Sequence, residues 1–217
     1  MGRKLLLLSG ILFISQLSVA GDHEDSIPLS NHFIHRLGTE VRPAYIIPTN
    51  RFLKGENNQS KALRVGLSAH MRYAFKFSPS SYVDRIYGGP YQGIGLAYYN
   101  FGNRQEIGNP VALYVLQGGS LARFDPRLAL NYEWNFGLSS GWHPYDPDIN
   151  PNNVIIGSKI NAYLNTNLYL NWELSSRVDL TSGITLTHFS NGNTRFPNAG
   201  LNTAGLKMAL VYNFNRD

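Results

Sequence analysis

The chain alternates. In INAYLNTNLYLNWEL, residues 160–174, the side chains of Ile160, Ala162, Leu164, Thr166, Leu168, Leu170, Trp172 and Leu174 share one parity. Asn161, Tyr163, Asn165, Asn167, Tyr169, Asn171 and Glu173 hold the other. Successive side chains of an extended chain point to opposite faces, so a period of two predicts one long strand with an apolar and a polar face. LRVGLSAHMRYAFKF (63–77), RLALNYEWNFGLSSGW (127–142) and TAGLKMALVYNF (203–214) repeat the pattern. Eight strands are predicted, over 33–47, 62–77, 91–102, 110–119, 127–141, 159–174, 176–190 and 203–214. Most exceed the roughly five or six residues usual in soluble proteins. They match the roughly 9–11 residues of a tilted strand that crosses a bilayer.

A soluble β-domain would bury the apolar parity; a membrane barrel turns it outward and fills its lumen with the polar one. Two features favour the barrel. Arg36, Glu40, Arg64, Arg72, Glu133, Glu173 and Lys207 lie on the polar faces, with both signs available for pairing in a closed interior. Aromatics also gather near strand ends on the apolar face, as in Tyr73, Phe75, Phe77 and again Tyr212, Phe214. Lipid leaves no partner for an open sheet edge, so the sheet must close. The expected fold is all-β, an eight-stranded antiparallel transmembrane β-barrel; a secreted soluble β-domain is the alternative. With both termini periplasmic, the connections 48–61, 103–109, 142–158 and 191–202 face outward. Those at 78–90, 120–126 and 175 face the periplasm, where short turns are the norm. SPSSYVDRIYGGP, 78–90, is long for such a turn.

Composition narrows the context. Arg3, Lys4, the apolar run Leu5–Leu17 and the small residues Ser18-Val19-Ala20 read as a secretory signal peptide over 1–20, leaving a barrel domain over 21–217. The formal charge of +5 falls to +3 without Arg3 and Lys4 (5 − 2), and no basic run remains, so nucleic acid is not an expected partner. Cysteine is absent from the sequence, which excludes disulfides. The histidines at 23, 32, 35, 70 and 143 lack metal-ligand spacing, and neither a metal nor another cofactor is expected.

Candidate chemistry gathers in THFSNGNTRFPNAGLN, residues 187–202. The apolar parity of the seventh strand, Val178, Leu180, Ile184 and Leu186, continues into His188 and Ser190. These polar residues therefore face lipid at the outward end of the strand. Stepping the eighth strand back from Leu206 and Ala204 puts Asn202 on the same wall. Residues two apart on a strand are about 6.6 Å apart along it. A histidine can activate a serine over that span while a third group orients its ring. Asn202 is the candidate third group, and Asn191, Gly192 and Asn193 offer donors for an oxyanion. A strand end where histidine and serine meet only headgroups and water fits the same spacing.

That stretch resembles the PagL-type lipid A 3-O-deacylases, a family of outer-membrane acyloxyacyl hydrolase-like enzymes. The family pattern is histidine, an aromatic, serine, asparagine, a polar loop with Pro-Asn and Gly, then an acid twelve positions after the serine. Here those positions are His188, Phe189, Ser190, Asn191, Pro197-Asn198, Gly200 and Asn202. The resemblance implies a serine nucleophile, a histidine base and an orienting third residue on the outer wall of a barrel. It implies lipid A of lipopolysaccharide in the outer leaflet as substrate. Arg195 is a candidate contact for a lipid A phosphate, with a solvated loop arginine as the alternative. The location implied is the Gram-negative outer membrane. Asn202 departs from the family's acid: it can accept a hydrogen bond but supplies no charge. The expected activity is hydrolysis of an ester-linked acyl chain, the 3-O chain by resemblance. A phospholipase and a non-catalytic structural or ligand-binding barrel are the alternatives. Oligomeric state stays open, a homodimer included.

Overall fold

A computed structural model describes residues 33–78 and 81–216; the signal peptide expected over 1–20 lies outside the described residues. The strands are β1 (Phe33–Ile46), β2 (Val65–Phe77), β3 (Tyr91–Asn100), β4 (Gly108–Asp125), β5 (Leu128–Trp142), β6 (Ile160–Glu173), β7 (Val178–Ser190) and β8 (Leu201–Phe214). One short helix, α1 (Tyr82–Tyr87), lies between β2 and β3. The strands pair in sequence order and close into a barrel. Antiparallel pairs such as Leu37 with Tyr212 and Val41 with Met208 join β1 to β8.

The polar parity lies inside. Arg36, Glu40, Arg42, Arg72, Glu133 and Lys207 are each at most 6% exposed. Buried charge is tolerable only when paired, and here it is. Arg72 lies 3.1 Å from Glu40 and 2.8 Å from Glu133, Lys207 lies 3.3 and 3.2 Å from the same two carboxylates, and Arg42 also binds Glu40. Side chains thus fill the lumen, as an eight-stranded barrel's width permits. The apolar parity faces outward, with Leu67, Leu96, Leu113, Ile184 and Leu206 all more than half exposed. A surface so apolar needs lipid rather than water against it.

A second interior layer sits at the end where the long connections 47–64, 101–107, 143–159 and 191–200 emerge. Phe52, Leu53, Ile107, Ile155 and Ile156 descend from these loops. They pack with Phe101, also from a loop, and with Tyr99, Trp142, Tyr163, Phe189 and Leu201 from the strand ends. The barrel is therefore charged in its middle and capped by an apolar cluster.

Two departures from the expected elements have local causes. β4 runs to Asp125 rather than ending at 119, which shrinks the predicted 120–126 turn to residues 126 and 127. Register shifts between Ser120 and Ala122 and between Arg123 and Asp125 break the alternation there, because a bulge puts an extra residue on one strand. The long 78–90 connection contains α1. Ser81 Oγ accepts from the Asp84 amide, and Gly88 ends the helix at φ 71°. The Ser120 amide donates to Gly88 O at 2.9 Å, tying the helix to β4.

Candidate active site

The β7–β8 hairpin assembles the site. In its register His188 stands directly opposite Asn202. His188 Nδ1 and Asn202 Oδ1 are 2.7 Å apart. A carboxamide oxygen only accepts, so Nδ1–H donates to it, and in the neutral ring Nε2 then carries the lone pair. Ser190, two residues on and paired with Ala162 of β6, presents its side chain on the same wall. All three residues are half-buried, and the Ser190 hydroxyl makes no hydrogen bond to another described residue. Lipid-facing parity thus brings an imidazole with a free nitrogen and an unengaged hydroxyl to one rim.

Phe189, between them, takes the opposite parity and points into the cap, fully buried. Its ring centroid lies 5.0 Å from those of Tyr99 and Trp142 and 5.4 Å from that of Tyr163. The aromatic core therefore holds the strand end that presents His188 and Ser190.

The 191–200 loop folds on its own side chains. The Asn191 amide donates to Asn198 Oδ1 at 3.1 Å and Asn191 Nδ2 donates to Arg195 O at 2.7 Å. Asn198 Nδ2 donates in turn to Asn193 Oδ1 at 3.1 Å. Both donor groups of Asn191, expected to face an oxyanion, are thereby engaged within the loop. The backbone amides of Gly192 and Asn193 make no hydrogen bond among the described residues. Both residues have positive φ, 63° and 62°. Asn198, which the sequence offers only as part of the Pro-Asn pair, bridges the residue after Ser190 and the turn through its carboxamide. The Arg195 side chain is exposed and its guanidinium has no partner among the described residues.

An open groove of about 840 Å³ runs from His188 and Asn202 across the outer wall. Ile47, Val115, Trp134, Phe136, Leu164 and Leu186 line it, so its walls are apolar. A flexible hydrocarbon chain fits such a surface.

The sequence profile of the lipid A 3-O-deacylase (PagL) family matches residues 67–211. Among solved structures, the outer membrane enzyme PagL superposes with a TM-score of 0.50 at 12% identity, over 80% of this chain and 97% of that one. Neisserial surface protein A (NspA) gives 0.48 at 8%, over 84% and 96%. The N-terminal β-barrel domain of Pseudomonas aeruginosa OprF gives 0.43 at 7%, over 83% and 97%. The likeness to the enzyme PagL is one of fold at this identity. No curated protein matches the chain by sequence.

Proposed function

The chain belongs to the lipid A 3-O-deacylase (PagL) family, and from that premise we propose a serine esterase that cleaves the 3-O-linked acyl chain of lipid A, with Ser190 as nucleophile, His188 as base and Asn202 as the residue that orients the base. Membership supports lipid A deacylation and places the chain in the Gram-negative outer membrane. The observation that carries the proposed mechanism is the 2.7 Å contact of His188 Nδ1 with Asn202 Oδ1 on the lipid-facing wall.

His188 Nε2 takes the Ser190 proton as Oγ attacks the ester carbonyl carbon. The carbonyl π pair moves to oxygen, and the free amides of Gly192 and Asn193 are the proposed donors to that oxyanion. Collapse expels the sugar oxygen, which His188 protonates. The acyl-enzyme is hydrolysed by water with His188 again as base, releasing a fatty acid. The apolar groove seats the acyl chain, and the unpaired Arg195 meets an anionic group of the lipid A head. Asparagine holds the ring tautomer by accepting a hydrogen bond, the part it plays in Cys-His-Asn proteases. It adds no charge to the imidazolium, which sets this chain apart from the family's acid.

Mass spectrometry of lipid A from cells with and without the protein tests the reading. Loss of one hydroxyacyl group from the 3 position, abolished by Ser190→Ala, is expected. An unchanged spectrum points to a non-catalytic barrel, whereas cleavage of glycerophospholipid alone points to a phospholipase.

A further inference from the structure

His188 is held on two sides. Asn202 grips Nδ1, and Gly200 lies against the ring edge: a Cβ built there would stand 3.1 Å from the imidazole Cε1 and 3.1 Å from Phe189 O. Gly200 also sits at φ 70°, where a side chain is strained. Bare glycine at 200 therefore leaves the imidazole its room, and a shift of this backbone toward the ring would crowd it.

What sets residue 200 is another loop. The Gly200 amide donates to Ile155 O at 3.0 Å, and the Ala199 amide donates to Val154 O at 3.1 Å. The 154–155 segment is itself fixed from below. Ile155 is fully buried in the cap. Its amide donates to Asn153 Oδ1 at 3.0 Å. Asn153, 1% exposed, donates through Nδ2 to Glu106 O and His143 O, both at 2.8 Å. A few residues on, Gly157 lies flat under the catalytic loop. A Cβ there would fall 2.7 Å from both Arg195 O and Pro197 O, closer than real Cβ atoms come.

From these contacts we infer that the 153–157 segment of the 143–159 loop is a positioning element of the active site, with Asn153 and Gly157 as its working residues. Neither touches the reacting atoms. Asn153 anchors the segment to which Ala199 and Gly200 bond, and bare Gly157 lets residues 195–197 settle. Together they hold Gly200 against the His188 ring while Asn202 selects the Nδ1–H tautomer. An imidazole displaced by even about 1 Å loses roughly 10²-fold in rate through misalignment with its nucleophile. This inference rests on the proposed role of His188, but its geometric half can be read without turnover.

Two variants test it, Asn153→Ala and Gly157→Ala, each in the full-length protein in detergent micelles. Heat-modifiable gel migration reports the barrel. Deacylation kinetics on lipid A separate kcat from KM. ¹⁵N NMR of labelled histidine reports the tautomer, with the His188 signal assigned by its loss in His188→Gln. Both variants are expected to keep the barrel band and a KM within about twofold of wild type. Their kcat should fall at least tenfold, and the His188 nitrogens should move from a fixed Nδ1–H pattern to an exchange-averaged one. Wild-type kcat with an unmoved tautomer in both variants overturns the inference. So does a KM effect alone, and so does loss of the folded band in both, which would make the segment part of the fold rather than of the site. A wild-type protein inert on lipid A refutes the proposed function instead, and the tautomer still decides the positioning.

Discussion

Replacing Asn202 measures what a neutral third residue contributes. Asn202→Ala deletes the acceptor 2.7 Å from His188 Nδ1 and leaves the opposing strand position otherwise intact. A neutral hydrogen bond contributes about 0.5–1.5 kcal/mol net. Losing the fixed tautomer adds to this, because a ring protonated at Nε2 cannot take the serine proton. With a similar amount for the tautomer these come to about 1–3 kcal/mol, or roughly 5- to 140-fold in rate at about 1.4 kcal/mol per decade. Asn202→Asp keeps the side-chain shape and replaces the amide by a carboxylate. Hydrogen bonds to charged groups contribute about 1.5–3 kcal/mol, roughly 1 kcal/mol more than the neutral bond. The cost of a charge on the lipid-facing wall falls to about 0–1 kcal/mol near the interface. The aspartate variant should therefore match wild type or exceed it by up to about tenfold. The assay is initial rate of fatty-acid release from lipid A in micelles, with folding of each variant checked by heat-modifiable migration. An Asn202→Ala protein as fast as wild type refutes the reasoning and assigns Asn202 to loop scaffolding. An aspartate variant slower than the alanine one refutes the charge argument.

Ser190→Ala and His188→Ala should each remove nearly all turnover, and the double variant should be little worse than either, since residues that act as one unit are non-additive; additive losses would separate their roles. Phe189→Ala empties the centre of the cap between His188 and Ser190. A buried Phe→Ala change costs about 3–5 kcal/mol, which should appear as faster hydrogen exchange at residues 187–191 together with reduced kcat while the barrel stays folded. The barrel should migrate as a compact band unless boiled, because closure satisfies its backbone groups; recovery as a soluble periplasmic protein would contradict this. N-terminal sequencing of the mature protein should begin at Gly21, and an intact Met1 would remove the proposed signal peptide.

The period of two determined much of this protein by itself. Strand geometry sends alternate side chains to opposite faces, so counting by twos places Leu206 outside, Lys207 inside, and His188 with Ser190 on the lipid-facing wall. It worked where the ladder is regular. It lost the end of β4, where bulges shift the phase past Ser120, and it missed α1, whose six residues span too few turns to show a helical period. Tertiary structure alone decided the rest. Phe52 and Ile155 belong to loops without a repeat, and their burial in the cap follows from where the closed barrel brings those loops together. The pairing of His188 with Asn202 depends on the β7–β8 register. The parity of each strand constrains that register only to within steps of two. The contacts of Val154 O, Ile155 O and Gly157 with the 191–200 loop join segments some forty residues apart. Local pattern fixes which way a side chain points, because that depends on adjacent peptide units. Which side chain it meets depends on how distant strands are aligned when the sheet closes.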